Sequence, residues 1–395
     1  MRPRILLALL LASSACTSAH AAAVAPPAAP ATPALPDAAI AVLRDSVVRG
    51  YAADVFAQYA QSRVAADRMR AAVNAFCATP TEEGLARARE NWIDARRIYG
   101  RTEVFRFGDG PIDSMRGGTE TLINAWPVDE AYLDAVPGAA APGIIANPAK
   151  YPVIAGIILR QLNQRGGETN VCTGWHAIEF LLWGQDFSEA GPGARPASDF
   201  MDGQAEFAER RRDFLRETTG MLCQDLVRLE EAWKPDADNH RRRFVADPDK
   251  ALRSILTGVA LLTGFEMSGE RLAVPYETRD QEEEHSCFSD TTHIDFLANI
   301  EGVAAVLRGH QAPGVIDLVR AKDPAQGQRL AEATDAAVAA VQAMPVPFDA
   351  GIRAADETPE RRNLLAAIEA LEALGEQVSS SARLFGYFLP TEPQG

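Results

Sequence analysis

The chain has 395 residues, with 39 Lys or Arg against 54 Asp or Glu, so its formal net charge is −15. That length suits about two or three domains, and the acidic excess argues against a partner made of nucleic-acid phosphates. With 47% apolar and 24% charged residues the composition is that of a globular protein, and no run beyond the N-terminus approaches the roughly 18 apolar residues of a membrane span.

Residues 1–21 have the pattern of a secretory signal. Two arginines precede an apolar stretch, and a small-x-small cleavage site ends at Ala21. The Ala/Pro-rich residues 22–36 then predict a semi-extended spacer. Cleavage before Cys16 is the alternative, and it would leave a lipid-anchored cysteine as the protein's attachment to a membrane. Both alternatives predict an exported protein.

Most of the remaining chain carries apolar residues at every third or fourth position, which is the spacing of helices. One such stripe predicts a long helix over 37–77. Thr79 can cap the next helix, because Pro80 fits the first helical position and Glu82 follows three residues after the cap. That helix should run towards Glu103. Further helical stripes cover 151–162, 207–233, 252–272, 293–307, 330–344 and 364–385.

The fold class predicted from these stripes is all-α, because strand patterns are almost absent. Helices of this length must bury their apolar faces against one another, most simply as two helical bundles. The Gly/Pro-rich stretch 188–198 is the predicted boundary, with one bundle over 37–187 and the other over 199–395. Each half has a long helix that leads into an irregular polar stretch, which suggests a degenerate duplication.

Four cysteines remain after the predicted signal: Cys77, Cys172, Cys223 and Cys287. An oxidising compartment permits disulfides between them, and four cysteines allow three pairings. None stands in a CxxC or similar spacing, which argues against a zinc knuckle or a redox dithiol. We expect structural bridges or buried thiols.

The segment 174–184 is apolar on every side, yet it contains His176 and Glu179. Their spacing of three places them side by side on one helical face. An ionised carboxylate buried without a partner costs several kcal/mol, so Glu179 must be paired, protonated or bound to a cation. We interpret the two as a functional pair, with a structural ion pair as the alternative.

Two more carboxylates fall on apolar stripes. Glu103 occupies the next position after the stripe that ends at Tyr99, and Glu266 follows a second stripe by the same four-residue step. Two such carboxylates suggest one shared polar site. Arg106, Asp109 and Asp113 lie in the turn-rich stretch just after Glu103.

The polar segment 282–293 contains Ser286, Asp290 and His293. Its three consecutive glutamates are typical of a solvated loop, and Asp290 can cap a helix that carries His293. Cys287 stands near His285, but adjacency alone does not make a nucleophile and its base.

Gly174-x-His176-x-x-Glu179 resembles the GxHxxE signature of the imelysin-like proteins. That family includes insulin-cleaving metalloproteinase and iron-regulated protein A types, which occur in the bacterial periplasm or on the outer membrane. Further matches are 99–113, Asn124-Ala125-Trp126-Pro127 and 285–293, so that the resemblance covers about residues 38–388. It implies two helical bundles with the signature at or near their junction, and a role in iron acquisition.

Imidazole with carboxylates is a ligand set that suits iron or zinc. We therefore predict an exported protein that binds iron, or an iron-containing ligand, through His176, Glu179 and Glu103, with zinc as the alternative metal. Envelope iron-uptake proteins are the expected partners. The residues predicted to orient these ligands or to complete the pocket are Arg106, Asp109, Asp113, Ser286, Asp290 and His293.

Two alternatives to iron binding remain open. The first is a metallopeptidase, although the inverted zinc motif HxxEH requires histidine where this chain has Phe180. The second is a non-catalytic envelope interaction protein in which the pair His176 and Glu179 only joins helices. The sequence favours a binding protein over an enzyme.

Overall fold

The first apolar stripe forms a helix of 42 residues, α1 (Asp37–Ala78), in a computed structural model that describes residues 35–114, 117–188 and 191–393. No strand occurs within those ranges, which confirms the all-α prediction. The predicted signal over 1–21, and all but the last two residues of the predicted spacer, lie outside the described residues. Among the described helices, none has the length and apolar character that a bilayer crossing requires.

The other helices follow in chain order. They are α2 (Glu82–Gly100), α3 (Glu120–Ile123), α4 (Glu130–Leu133), α5 (Gly156–Leu162), α6 (Gly174–Trp183), α7 (Ala208–Trp233), α8 (His240–Ala246), α9 (Pro248–Leu261), α10 (Val274–Thr278), α11 (Thr292–Arg308), α12 (Val315–Lys322), α13 (Pro324–Gln342), α14 (Phe348–Arg353) and α15 (Pro359–Arg383). A π-helix, Leu262–Ala273, joins α9 to α10, and 3₁₀ turns occur at Glu103–Phe105, Ala197–Phe200 and Gln281–Glu283.

The start of α2 differs from the prediction. Its cap is Thr81, whose hydroxyl accepts a hydrogen bond from the Gly84 amide at 3.0 Å, whereas the Thr79 amide still donates to α1. The predicted cap, Thr79, therefore lies two residues before the observed one. The helix also ends at Gly100, so Glu103 begins a separate 3₁₀ turn. Glu103 is nevertheless fully buried, as its place on the apolar stripe predicts.

Two groups of helices share one core. In the first group α1 packs along α2 and α7, while α6 packs against α2 and α7. In the second, α15 packs against α9, the π-helix and α13, and α13 also contacts α11 and α12. Contacts of α11 with α2, and of α1 with α9 and α12, join the groups, and one apolar cluster extends through both.

All the described residues fall in one compact unit. Although α7 follows the predicted boundary at 188–198, it packs against α1 and α6, which precede that boundary. The division into bundles over 37–187 and 199–395, and the duplication, stay predictions.

The four described cysteines are free thiols. Cys77, Cys172 and Cys223 are buried, and Cys287 is partly buried. Of the two outcomes that the sequence allows, bridges or buried thiols, the structure has the second.

Candidate functional site

All ten residues of α6 are buried, including the pair His176 and Glu179. His176 is 2% exposed and Glu179 is 0% exposed, so neither side chain reaches solvent. Their i,i+3 spacing brings His176 Nδ1 to 2.9 Å from Glu179 Oε2, in a hydrogen bond. The pairing predicted from the sequence is therefore present in the structure.

The second oxygen of Glu179 is held by the loop that precedes α11. The Ser289 amide and hydroxyl both donate to Glu179 Oε1, at 3.0 and 2.7 Å. Burial raises the pKa of Glu179 to about 8, although the Ser289 hydrogen bonds oppose that rise. Burial also lowers the pKa of His176 well below its usual value, and the nearby Arg96 charge adds to this effect. Near neutral pH, His176 is therefore uncharged.

Arg96, on α2, lies at the centre of this polar site. Its Nη2 atom is 3.4 Å from His176 Nε2 and 3.3 Å from His285 Nδ1. Its Nε donates to Asp295 Oδ1 at 2.9 Å, and both partners are almost completely buried. The two imidazole rings that flank Arg96 are 4.7 Å apart between centroids. A guanidinium group therefore supplies the positive charge among two imidazoles and a carboxylate.

Asp295, on α11, contacts the residues of the preceding loop that belong to the site. His285 Nδ1 lies 2.7 Å from Asp295 Oδ2, and the Ser286 hydroxyl donates to the same oxygen at 2.7 Å. Burial would raise the pKa of Asp295, but the charge of Arg96 and the bonds from His285 and Ser286 outweigh burial and hold it well below the usual value. Burial lowers the pKa of His285 to about 4. Asp295 is thus the ionised partner of Arg96.

A second cluster pairs carboxylates with guanidinium groups. Arg271 Nη2 donates to Glu103 Oε2 at 2.8 Å and to Glu266 Oε1 at 2.7 Å. Arg106 also contacts both carboxylates, at 3.0 and 3.3 Å, and reaches Glu120 at 3.1 Å. Burial would raise the pKa of Glu103, but Arg106 and Arg271 outweigh burial and lower it to about 2. The shared polar site predicted from Glu103 and Glu266 is present.

The π-helix explains why Glu266 and Arg271 meet. In an α-helix, residues five apart point about 140° away from each other, because each residue turns the helix by about 100°. A π-helix has i→i+5 hydrogen bonds, so residues five apart return to nearly the same face. Glu266 and Arg271 are five apart within Leu262–Ala273, and their side chains are hydrogen-bonded.

Asn124 connects the two clusters. Its Oδ1 accepts a hydrogen bond from Arg96, and its Nδ2 donates to Glu103 Oε1 at 3.3 Å. Glu103 is thus linked to His176 through Asn124 and Arg96. The joined network contains five carboxyl groups and three guanidinium groups. Glu179 is largely protonated near neutral pH, so the ionised carboxylates then exceed the guanidinium groups by at most one. The carboxylates are Glu103, Glu120, Glu179, Glu266 and Asp295, and the cations are Arg96, Arg106 and Arg271.

The donor types suit a transition metal, but their arrangement is that of a hydrogen-bonded network. The contacts of Arg96 Nη2 with the imidazoles are 3.3 to 3.4 Å long, whereas metal–nitrogen bonds are about 2.0 to 2.1 Å. In the described ranges, no three His, Cys, Asp or Glu side chains are arranged to hold a metal ion. Metal ligation by His176, Glu179 and Glu103 stays a prediction.

The structure brings some of the other predicted residues into the network and leaves others outside it. Arg106 lies in the carboxylate cluster and Ser286 lies beside His285, so both belong to the network. Asp109 is exposed, and Asp113 accepts a hydrogen bond from the Gly110 amide at 2.9 Å.

Two further predicted residues lie at the start of α11. His293 is half-buried, and its Nδ1 atom has no hydrogen-bond partner among the described residues. Asp290 does not cap α11 as predicted, because the capping position is Thr291 and no side chain makes a capping hydrogen bond there.

Arg96, Asn124, Arg271 and Asp295 are absent from the predicted site. A signal existed for Arg96, because it stands four residues after Trp92 and three before Tyr99, beside the apolar stripe of α2. Asp295 is 199 positions away from Arg96 in the chain, and helical periodicity cannot bring such residues together.

Comparison with known proteins identifies the family. The family model described as Imelysin matches residues 55–378. The chain belongs to the imelysin family. The curated iron-regulated protein A of Synechococcus elongatus is 23% identical to this imelysin-family chain in an alignment of 328 residues, and the match covers 79% of each protein.

A solved structure supports the same fold. A crystal structure described as that of an iron-regulated protein A precursor from Parabacteroides distasonis matches with a TM-score of 0.68 and 16% sequence identity. The match covers 87% of this imelysin-family chain and 95% of that chain. At this identity, the similarity establishes the all-α fold.

Proposed function

We propose that this imelysin-family chain is an exported iron-binding protein whose metal site lies around Arg96. Three observations support the proposal. Relatives in fold and sequence are named iron-regulated protein A, the network combines two imidazoles with carboxylates, and its acidic groups exceed its guanidinium groups. The periplasm or the outer membrane would be its location, and envelope iron-uptake proteins would be its partners.

The observation that carries the proposal is the position of Arg96 Nη2. It lies within 3.4 Å of His176, His285 and Asp295, which together are two imidazoles and one carboxylate. That combination is the donor set of many non-haem Fe(II) sites. For iron to bind there, the Arg96 guanidinium would have to withdraw from the two imidazoles, and the side chains of His176, His285 and Asp295 would have to move inward. Glu179 would add a second carboxylate.

In this proposal Glu103 acts indirectly. Its oxygens accept hydrogen bonds from Arg271, Arg106 and Asn124, so it fixes the amide that contacts Arg96. When bound, iron would supply a positive charge that offsets the excess carboxylate and favours the ionised form of Glu179. His176 and Glu179 would bind the iron where water is excluded, because both side chains are buried.

The test is iron loading of the purified mature chain under anaerobic conditions, followed by dialysis and elemental analysis. We expect about one iron per chain for the wild type, and a loss of at least tenfold in affinity for His176→Ala and His285→Ala. His310→Ala is the matched control, because His310 is exposed. Equal occupancy in His176→Ala and wild type would reject the proposed site, and parallel loading with zinc identifies the preferred metal.

Peptidase activity stays a prediction, and the same samples test it. Cleavage of a peptide that is sensitive to chelators and is lost in Glu179→Gln would establish a metallopeptidase. Absence of such cleavage in iron- and zinc-loaded protein would leave binding as the function.

A further inference from the structure

A cavity with cationic walls, the basic cavity, lies between α1, the loop after α7 and α8. Its volume is about 560 Å³, and small-molecule sites have volumes of about 300 to 1,000 Å³. Two acidic side chains, Asp236 and Asp238, line it together with four cationic ones. The cations are Arg49, Lys234, Arg241 and Arg242. The lining is therefore positively charged in a chain whose net charge is −15.

Arg241 is the cation of this lining with the least compensation. It is partly buried, and its Nη1 atom donates to the Trp233 carbonyl oxygen at 3.3 Å. Within the described residues its guanidinium group forms no ion pair with a carboxylate. Burial lowers the pKa of Arg241, although the charge of Asp236 opposes this effect. An anion in the cavity would supply the negative charge that Arg241 lacks.

The other three cations of the lining are held by exposed ion pairs. Each pairs with an acid three or four residues away, at 2.7 Å for Arg49, 3.0 Å for Lys234 and 3.6 Å for Arg242. Every side chain in these pairs is at least 40% exposed. Such exposed pairs contribute little to stability, so the cations can turn towards a bound anion at little cost.

The arginines of α8 differ from a similar run at 210–212 on α7. Each guanidinium group of that run makes at least three hydrogen bonds to carbonyl or carboxylate oxygens. Arg241 makes one such bond, and in the described chain Arg242 has only its exposed pair with Asp238. The arginines on α7 therefore hold the fold together, whereas the fold makes little use of those that line the basic cavity.

The loop that carries much of the cavity wall is fixed in place. The side-chain amide of Asn239 donates to the Lys234 carbonyl oxygen at 2.8 Å, and its Oδ1 accepts from the Arg242 amide at 3.3 Å. Beside this loop the ring of Trp233 packs edge-on against Phe244, with centroids 5.1 Å apart. The cationic groups thus project from a backbone that is already held in position before a ligand binds.

We propose that the basic cavity binds a small multivalent oxyanion, a phosphate or polycarboxylate compound. Guanidinium groups match the paired oxygens of carboxylates and phosphates, to which they donate parallel hydrogen bonds. Asp236 and Asp238 would accept hydrogen bonds from hydroxyl groups, so a hydroxylated anion suits the lining best. None of the lining residues belongs to the network around Arg96, so the proposal does not depend on iron binding and either can fail alone.

The experiment is calorimetric titration of the purified mature chain with sodium citrate and, separately, with sodium phosphate. We expect saturable binding of one anion per chain, with a Kd of about 10⁻³ M or tighter for citrate. Added NaCl should weaken it, because salt screens exposed charges. Arg241→Gln should weaken binding about tenfold. Arg49→Gln should weaken it by up to about fivefold, and it tests the site even if Arg241→Gln does not fold.

Arg70→Gln is the matched control. Like Arg49, Arg70 is an exposed arginine on α1 that pairs with an aspartate of the same helix, but it lies outside the lining. It should bind citrate like the wild type. Binding that is equally strong in Arg241→Gln, Arg49→Gln and Arg70→Gln would overturn the proposal, because it would show general attraction to the surface.

A lipid headgroup offers the same phosphate chemistry as a free anion. Cosedimentation with vesicles of phosphatidylglycerol and phosphatidylcholine, compared with phosphatidylcholine alone, distinguishes the two sources. Binding to the anionic vesicles that is lost in Arg241→Gln and kept in Arg70→Gln would support the site with a lipid phosphate as its ligand. An absence of binding to citrate, phosphate and both kinds of vesicle would overturn it.

Discussion

At the level of single residues, Arg96 is the charged group that connects most of the network. It contacts His176, His285 and Asp295, and it reaches Glu103 through Asn124. The sequence predicts that Glu179, inside an apolar helix, must be paired, protonated or bound to a cation, and it favours a bound metal ion. The structure shows that internal arginines supply part of the compensation, from positions that no local pattern connects to α6.

Removing the Arg96 charge should be strongly destabilising. Arg96→Met leaves the buried Asp295 carboxylate without its cation, and breaking a buried pair in this way costs about 3–5 kcal/mol. Urea unfolding at pH 7 measures the change. Arg97→Met is the control, because the Arg97 side chain is 54% exposed and its substitution should change stability by about 0.5 kcal/mol or less. Similar effects of the two changes would contradict this role for Arg96.

Glu179 should make stability depend on pH. A solvated glutamate has a pKa of 4.5, and burial raises the pKa of Glu179 to about 8, so between these values the folded state holds a proton that the unfolded state has lost. Stability should therefore fall as pH rises through this window, by up to about 5 kcal/mol from this group. Glu179→Gln cannot titrate, and its unfolding free energy should decline less between pH 5 and pH 8. Identical declines in the two proteins would show that Glu179 does not carry the effect.

At the level of elements, periodicity predicts the helices well and their ends poorly. The stripe over 37–77 corresponds to α1, and the later stripes correspond to α5, α7, α9 with the π-helix, α11, α13 and α15. The cap of α2 is misplaced because both Thr79 and Thr81 precede suitable residues, and only three-dimensional geometry selects Thr81. The π-helix is also unpredicted, since an apolar stripe does not distinguish 3.6 residues per turn from a wider turn.

The crossing of α15 over the π-helix gives a prediction with an internal control. A Cβ added at Gly375 would lie 3.1 Å from Gly264 Cα, whereas one added at Gly264 would lie 3.6 Å from Gly375 Cα, an ordinary contact. Gly375→Ala should therefore cost about 1–3 kcal/mol through overpacking. Gly264→Ala should be neutral, or stabilising by up to about 1 kcal/mol, because alanine favours helices. Thermal melting of the two variants checks the order, and a reversed order would refute this account of the crossing.

At the scale of the whole molecule, the site joins distant parts of the chain. The network draws on α2, α6, α11, the π-helix and the loop before α11. Local spacing can therefore point to single residues of the network, but it cannot predict which of them contact one another. His176, Glu179 and Glu103 could be found in the sequence because they interrupt apolar stripes. Their partners could not, because pairing over 80 to 199 positions is decided by how the helices pack.

The free thiols predict how the whole chain responds to reduction. Burial raises the pKa of Cys77, Cys172 and Cys223 to about 12, so these thiols are unreactive in the folded protein. Titration with a thiol reagent in denaturant should count four thiols per mature chain cleaved after Ala21, with or without a prior reducing step. Melting temperature should not change on reduction. A count of two or none before reduction would show that disulfides form.

The π-helix ties the length of one stretch of the chain to its winding. Glu266 and Arg271 are five residues apart, and only the wider turn brings them together. A deletion of one residue between them would leave them four apart, which is the spacing that ordinary α-helical winding places on one face. An inserted residue would instead carry Arg271 away from Glu266 unless the turn widened further. Natural variants of this protein should accordingly accept a one-residue gap between these two positions more readily than an insertion.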